Sequence, residues 1–228
     1  MSDQRLRELE RRWKEAPSPH TEADYLRERV RAGSLSEARL RLAAFLGHEA
    51  AGLAARDPVA PPEPAEARWF LWGRELARLD AEAPVRCAVA IARHLLPELE
   101  DDPFADDMAR DCLRCAERWA LDPWNPELVE AAAQALAFPD EDTAELGFPT
   151  PASRQALAAA RMAAAAARGR REDSAAAQAA LAGQAVLGDA QAVLRILRDE
   201  VVPWALGYRD PIAAQLANGE GAGEAPTR

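Results

Sequence analysis

The fold is decided by two stretches of equal length, ARWFLWGRELARLDAEAPVRCAVAIARHLLP (residues 67–97) and ARDCLRCAERWALDPWNPELVEAAAQALAFP (residues 109–139). They align at an offset of 42 residues with nine identical positions. The identical pairs are Ala67/Ala109, Arg68/Arg110, Leu71/Leu113, Glu75/Glu117, Leu79/Leu121, Asp80/Asp122, Pro84/Pro126, Ala90/Ala132 and Pro97/Pro139. Each stretch has a helical apolar pattern, a short loop, a proline at the first position of a second helix and another proline beyond its end. The sequence therefore predicts two helical hairpins, with a period in the range of HEAT-like repeats.

Charged amphipathic helices are predicted on the N-terminal side of this repeat. The first has an apolar stripe at spacings of three and four residues and ends at Pro17. Thr21 opens a second helix, Gly33 stands where a left-handed C-terminal cap is expected, and Ser34 opens a third helix. Four prolines within residues 57–65 then favour an extended connector.

Alanine dominates the last third of the chain, where three further helices are predicted. They run from Pro151 to about Arg168, from Ser174 to Leu187 and from Ala190 to Leu206. Because alanine places no large side chain between two backbones, we expect these helices to pack closely.

The composition agrees with an all-α fold. Isoleucine occurs only three times and β-branched residues are scarce, whereas alanine is abundant. We therefore predict antiparallel helical hairpins, arranged as a HEAT-like α-solenoid or as an irregular helical bundle. The predicted segments are a helical module at 1–56, a proline-rich linker at 57–65, the hairpins with the alanine-rich helices at 66–208 and a flexible tail at 209–228.

Charge and composition also exclude several classes of function. The formal net charge of -10 argues against general nucleic-acid binding, which draws its non-specific affinity from a basic surface. No window approaches the roughly eighteen successive apolar residues of a membrane span. The N-terminus lacks the apolar region of a secretory signal, and three cysteines are too few for a disulfide scaffold. We therefore expect a cytoplasmic protein that binds neither nucleic acid nor membrane.

Three thiols and one imidazole form the sharpest candidate for a metal site. Cys112 and Cys115 have C-x-x-C spacing, and Cys87 with His94 would complete a tetrahedral zinc set. The competing interpretation is core packing, because Cys112 and Cys115 share one helical face with Met108. Core packing is favoured, since the turn-forming residues of zinc knuckles are absent. We predict no bound cofactor and keep a zinc-binding or thiol-sensing protein as an alternative.

Catalytic motifs are absent from the sequence. There is no G-x-S-x-G turn, the glycines do not form a phosphate loop, and His48-Glu49 lacks the second histidine of a metalloprotease helix. We therefore expect a protein that is not an enzyme.

Aromatic residues near the start of the repeat have two interpretations. If exposed, Trp69, Phe70 and Trp72 would anchor a protein partner. The helical spacing of Trp69, Trp72 and Leu76 favours a position in the core instead.

Negative charge is concentrated in two loops, which supply the candidate partner-binding residues. They are Asp101, Asp102, Asp106 and Asp107 in the first loop and Asp140, Glu141, Asp142 and Glu145 in the second. These side chains would present a negative potential to a protein partner with a basic surface. We therefore predict a non-catalytic protein-interaction module, with a self-assembling structural protein as a further alternative.

Residues 84–136 have the sequence PVRCAVAIARHLLPELEDDPFADDMARDCLRCAERWALDPWNPELVEAAAQAL and are followed by alanine-rich helices. This part of the chain resembles the helical immunity proteins of bacterial polymorphic-toxin systems. The likeness lies in the order of an apolar helix ending in LLP, an acidic loop, a helix with AERW, a short helix and alanine tracts. It spans about residues 84–204 and contains no discrete functional motif, so no residue inherits a role from it. The resemblance implies a bacterial immunity or adaptor protein that binds a protein partner.

Overall fold

The computed structural model describes residues 2–56, 68–136, 150–168 and 175–220, and within these ranges it contains helices and no β-strand. The α-helices are α1 Ser2–Glu15, α2 Pro19–Arg31, α3 Glu37–Phe45, α4 Glu49–Ala54, α5 Trp69–Leu79, α6 Ala83–Leu95, α7 Pro103–Leu121, α8 Pro126–Ala135, α9 Pro151–Ala167, α10 Ala175–Leu187, α11 Ala190–Ala205 and α12 Pro211–Glu220. A 3-10 helix, Leu96–Leu99, lies between α6 and α7. None of the helices in the described ranges is long and apolar enough to cross a membrane. The prediction of an all-α fold is confirmed.

Small polar side chains set the beginnings of the N-terminal helices. Ser18 caps α2, and Pro19 follows it at a position where the missing N–H of proline costs nothing. The helix thus begins before Thr21, which instead completes a capping box with Ser18. Ser36 rather than Ser34 caps α3, because the Ser34 hydroxyl donates to a carbonyl at the end of α2.

Both predicted hairpins are present. Residues 80–82 join α5 to α6, and residues 122–125 join α7 to α8. Pro84 and Pro126 lie in the first turns of α6 and α8, as the repeat predicts. The two copies differ in length because α7 already begins at Pro103, ahead of the repeated stretch. A specific likeness to HEAT repeats stays a prediction.

The centre of the fold is α6. It packs against α5, α7, α9, α10 and α11, and most of its side chains are buried. The alanine-rich α9 and α10 pack against it and against each other. At Gly183 of α10, an added Cβ would lie 3.0 Å from Ile91 Cγ2 of α6 and 3.3 Å from Val193 Cγ2 of α11. Side chains of α6 and α11 therefore pack directly against the backbone of α10 at this point.

One hydrophobic cluster runs through every described part of the chain. It includes Leu26 of α2, Ile91 of α6 and Trp204 of α11. Because α3 also packs against α5 and α11, the module at 1–56 shares its core with the helices that follow. The proline-rich linker at 57–65 lies outside the described residues.

The C-terminal part of the chain differs from the flexible tail predicted at 209–228. Residues Pro211–Glu220 form α12, and Ile212 is buried against the core. Asp210 Oδ1 accepts from the Ile212 N–H at 3.0 Å and from Arg86 Nη1 at 3.0 Å, which holds the start of α12 in place. Local sequence patterns do not predict the long-range contact between Asp210 and Arg86. Residues 221–228 lie outside the described ranges.

A buried positive charge lies where α6, α7 and α11 meet. The Arg86 side chain is 5% exposed and donates to the Ala120 carbonyl at 2.7 Å as well as to Asp210. Its guanidinium lies 4.2 Å from the centre of the Trp204 ring, and the guanidinium of Arg39 lies 4.4 Å from the same ring. Cations at this distance are attracted by the negative face of the indole. One side chain thus joins α6 to α7, α11 and the turn before α12.

We expect Gly183→Val to lower the free energy of unfolding by about 1–3 kcal/mol, because overpacking a tight contact forces neighbouring side chains out of place. Gly52→Ala is the matched control, since a Cβ there meets nothing within 4 Å. That change should leave stability unchanged or raise it by up to about 1 kcal/mol through helix propensity. Urea unfolding followed by far-ultraviolet circular dichroism measures both. Unchanged stability of Gly183→Val would contradict the close approach of α6, α10 and α11.

Candidate protein-interaction surface

The first predicted acidic loop spans the turn between α6 and α7 and the beginning of α7, because Asp106 and Asp107 lie within that helix and not in a loop. Leu99 is fully buried at the end of the 3-10 helix, and the Ser153 hydroxyl of α9 donates to the Glu98 carbonyl at 2.9 Å. Asp102 ends the turn as the N-cap of α7, because its carboxylate accepts from the Ala105 N–H at 3.1 Å. The backbone of this turn is therefore held at both of its ends.

The four predicted carboxylates of this loop have different environments. Asp102 is used as the helix cap, and Asp106 accepts from Arg110 Nε at 2.7 Å. Asp101 and Asp107 are exposed and form no ion pair with any residue that the structure describes. Of the four, these two are therefore the most open to a partner.

Two further exposed carboxylates, Glu98 and Glu100, lie in the same turn. The combined negative field acts on Arg110. Its pKa is raised first by the hydrogen bond to Asp106, and then by the charges of Asp106, Asp107 and Glu100. The carboxylates of the turn therefore lie close enough to act together.

An apolar side chain is exposed beside these carboxylates. Phe104, in the first turn of α7, is 50% exposed. Exposed aromatic side chains next to charged groups are typical of protein interfaces, where the ring occupies the buried centre and the charges form the rim. We name the exposed carboxylates of the turn and of the beginning of α7, together with Phe104, the acidic end; its members are Glu98, Glu100, Asp101, Phe104 and Asp107.

The second predicted acidic loop follows α8 in the sequence. Its residues, Asp140, Glu141, Asp142 and Glu145, lie in the range 137–149, outside the described residues. A role for them in partner binding stays a prediction.

The four residues of the candidate metal site are not arranged as a ligand set. Cys87 and Cys112 are buried in the core, Cys115 is half-buried and His94 is exposed. Burial raises the pKa of Cys112 to about 12 and also raises the pKa of Cys87 and of Cys115. Metal ligation and nucleophilic attack both require the thiolate, which this environment disfavours. Within the described part of the chain, no three His, Cys, Asp or Glu side chains are placed to hold a metal ion.

A polar cluster that the sequence does not predict joins α2 and α4 to the turn before α12. Tyr208 Oη donates to Glu22 Oε1 at 2.6 Å, and His48 Nε2 lies 3.6 Å from the same oxygen. His48 Nδ1 accepts from the Ala51 N–H at 3.3 Å and so caps α4. Burial lowers the pKa of His48, and Arg198 lowers it further against the opposing effect of Glu22. His48 is therefore held in its neutral form.

Periodicity predicts the buried aromatic residues better than the exposed ones. Trp69 and Trp72 are buried, as their spacing predicts, whereas Phe70 between them is 50% exposed. Trp124, in the loop between α7 and α8, is 91% exposed. Its one sequence signal is the pair of flanking prolines, Pro123 and Pro126, which places it outside both helical patterns.

Comparisons with protein families, curated proteins and solved structures find no match to this chain. The resemblance to immunity proteins therefore stays a prediction from the order of helices and loops. The candidate surface is defined by its own chemistry, which consists of exposed carboxylates, an exposed phenyl ring and a turn fixed by hydrogen bonds.

Thiol labelling distinguishes core cysteines from a thiol sensor. With an aromatic disulfide reagent, we expect the native protein to label slowly at about one thiol, Cys115, and unfolded protein to label rapidly at all three. Cys115→Ser should abolish the native reaction. Rapid labelling of Cys87 or Cys112 in native protein, or zinc retained through dialysis, would contradict the core assignment.

We expect His48 to lower stability in mild acid. Because its pKa is lowered in the folded state, the stability provided by neutral His48 is complete above the unfolded-state pKa of about 6.5 and is lost as the pH falls below it. His48→Asn keeps a capping acceptor and removes the titration. The free energy of unfolding in urea, measured from neutral pH into mild acid, should therefore fall less in His48→Asn than in the wild type. Equal declines would contradict this role for His48.

Proposed function

We propose that this chain is a non-catalytic protein-interaction module whose acidic end binds a basic surface on a partner protein. The observation that carries the proposal is the acidic end itself. Its four carboxylates are exposed and form no ion pair with a described residue, and the half-exposed Phe104 lies among them. Complementary potentials steer two proteins together, and an aromatic side chain contributes buried contact area.

Local charge balance supports this choice of surface. Residues 68–136 contain 14 acidic and 8 basic side chains, a difference of -6, whereas residues 2–56 contain 9 acidic and 11 basic ones, a difference of +2. Six of the 14 acidic side chains lie within residues 98–107, a range without a basic residue. Negative charge in the described chain is therefore concentrated at the acidic end, which favours attraction of a basic partner there.

The backbone of the turn at the acidic end is held in one conformation without a bound partner. Buried Leu99, the hydroxyl of Ser153 and the capping carboxylate of Asp102 hold its backbone. A loop that is already ordered loses less conformational entropy on binding than a flexible one. This favours a binding surface over a solvated connector.

An immunity or adaptor protein is the specific form of the proposal that the sequence resemblance supports. Such a protein would act in the cytoplasm, a reducing compartment in which the unpaired thiols of Cys87, Cys112 and Cys115 persist. The absence of catalytic motifs from the sequence agrees with a binding role.

The proposal is tested by the rate of association with a basic probe, a synthetic amphipathic helix that carries arginine and leucine on one face. The test variant is Glu98→Gln/Glu100→Gln/Asp101→Asn/Asp107→Asn. We expect it to associate about tenfold more slowly than the wild type at low salt, with a weaker dependence on salt, because it lacks the steering field. Surface plasmon resonance over a range of sodium chloride concentrations measures both effects.

A control variant removes the same number of exposed carboxylates elsewhere on the described surface. It is Glu8→Gln/Glu127→Gln/Glu130→Gln/Asp199→Asn. Because the two variants have the same net charge, the acidic-end variant must associate more slowly than the control if the position of the charge matters. Equal association rates and equal salt slopes for the two variants would refute the proposed surface.

A further inference from the structure

The solvent-facing side of α5 is unusual for a helix that packs into the core. Its inner side is formed by buried side chains, Trp69, Trp72, Leu76 and Leu79. Its outer side is apolar and basic, with Phe70 at 50% exposure, Leu71 at 56% exposure and two exposed arginines, Arg74 and Arg78. We name these four outer residues the α5 outer face. No described helix covers it.

The charges of the α5 outer face are only partly compensated. Arg78 donates to Glu75 at 2.7 Å, but this is an exposed pair within one helix and such pairs contribute little. Arg74 forms no ion pair with a residue of the described ranges. The face therefore combines apolar area with positive charge, whereas the acidic end combines apolar area with negative charge.

Contacts through α9 and α10 place the first turn of α5, which carries Phe70 and Leu71, near the acidic end, and Arg74 and Arg78 follow in the next two turns of the helix. Trp69 Nε1 donates to Gln184 Oε1 at 2.6 Å, which fixes the first turn of α5 beside the end of α10. Gln184 and Gln155 line one groove between α10 and α9, so the end of α10 lies beside the start of α9. Ser153, in the first turn of α9, donates to the Glu98 carbonyl at the acidic end. The beginning of α5 and the acidic end thus lie at the same end of the helix bundle.

We propose that this end of the bundle binds a second copy of the chain, with the α5 outer face of each protomer against the acidic end of the other. A two-fold interface must be self-complementary, because every contact from one protomer to its partner is repeated in the reverse direction. Two patches of opposite charge on one protomer meet this requirement, and a surface with one sign of charge does not. Phe70, Leu71 and Phe104 would lie in the buried centre, with the charged side chains around them.

The inference rests on the proposed function, because it uses the same acidic end and identifies the basic partner as another copy of this chain. Trp124, although the most exposed of the large apolar side chains that the structure describes, lies beyond the opposite end of α7 and takes no part. The charges around the contact predict a dimer that weakens with added salt.

Two charge-reversal variants test the interface by sedimentation velocity over a range of protein concentrations. Glu98→Arg/Glu100→Arg/Asp101→Arg/Asp107→Arg makes both patches of a protomer basic, and Arg74→Glu/Arg78→Glu makes both acidic. We expect the wild type to form a dimer with a dissociation constant on the order of micromolar, as small transient interfaces do. Each variant alone should be monomeric through repulsion between like charges. An equimolar mixture of the two should restore the dimer, because both contacts of the heterodimer are then complementary.

The control Arg195→Glu/Arg209→Glu reverses two exposed arginines outside both patches and should dimerise like the wild type. If a charge-reversal variant does not fold, as judged by circular dichroism, the milder pair Asp101→Asn/Asp107→Asn and Arg74→Gln/Arg78→Gln replaces it. Each milder variant should weaken the dimer about tenfold or more.

Three outcomes would overturn the dimer. They are a wild type that stays monomeric at all concentrations, a dimer that persists in both charge-reversal variants and a mixture that does not restore association. Binding of the basic probe helix separates this failure from failure of the proposed function. If the association rate of the probe helix still falls in the acidic-end variant, the proposed function stands. Only the identity of the partner is then wrong.

Discussion

Burial of the Arg86 guanidinium is the constraint on which the arrangement of the helices depends. A buried cation is costly unless acceptors and counter-charges surround it. Here Glu82, one turn earlier in the chain, lies 3.5 Å from Arg86 Nε, and the other partners come from distant parts of the chain, namely the Ala120 carbonyl, Asp210 and the Trp204 ring. The three distant partners meet at the guanidinium only when α6, α7, α11 and the turn before α12 are all in place. Because Arg39 of α3 lies against the same ring, the N-terminal helices are tied to this point as well.

The same constraint helps to explain why charge remains uncompensated at the acidic end. The nearest arginines along the chain on the N-terminal side are Arg86 and Arg93 of α6, and both are used inside the fold. Arg93 Nε lies 2.6 Å from Glu117 Oε1 of α7, with both side chains largely buried. The positive charges of α6, the helix that precedes the acidic end, are therefore engaged in contacts with α7 and α11. The carboxylates beyond its end face solvent instead of these cations.

Helix boundaries can be predicted here because the rules that set them span only a few residues. Pro84 and Pro126 mark the starts of α6 and α8 through local spacing, and the N-cap preference for aspartate before a proline would have marked Asp102 as a cap rather than a binding residue. Contacts between distant residues leave no such trace. Tyr208 and Glu22 are 186 positions apart, and no periodicity connects them. Exposure of Phe104 likewise depends on which helices cover α7, so the sequence indicates the acidic residues of the site but not its aromatic centre.

The alanine-lined contact between α9 and α10 has a thermal consequence. Alanine has no side-chain rotamers to lose on folding, and it buries less apolar area than leucine at the same position. Exposure of apolar area is the source of the positive heat-capacity change of unfolding. Unfolding of these two helices therefore adds little heat capacity for their length. The stability of this chain should accordingly vary less steeply with temperature than that of a leucine-rich helical protein of the same size.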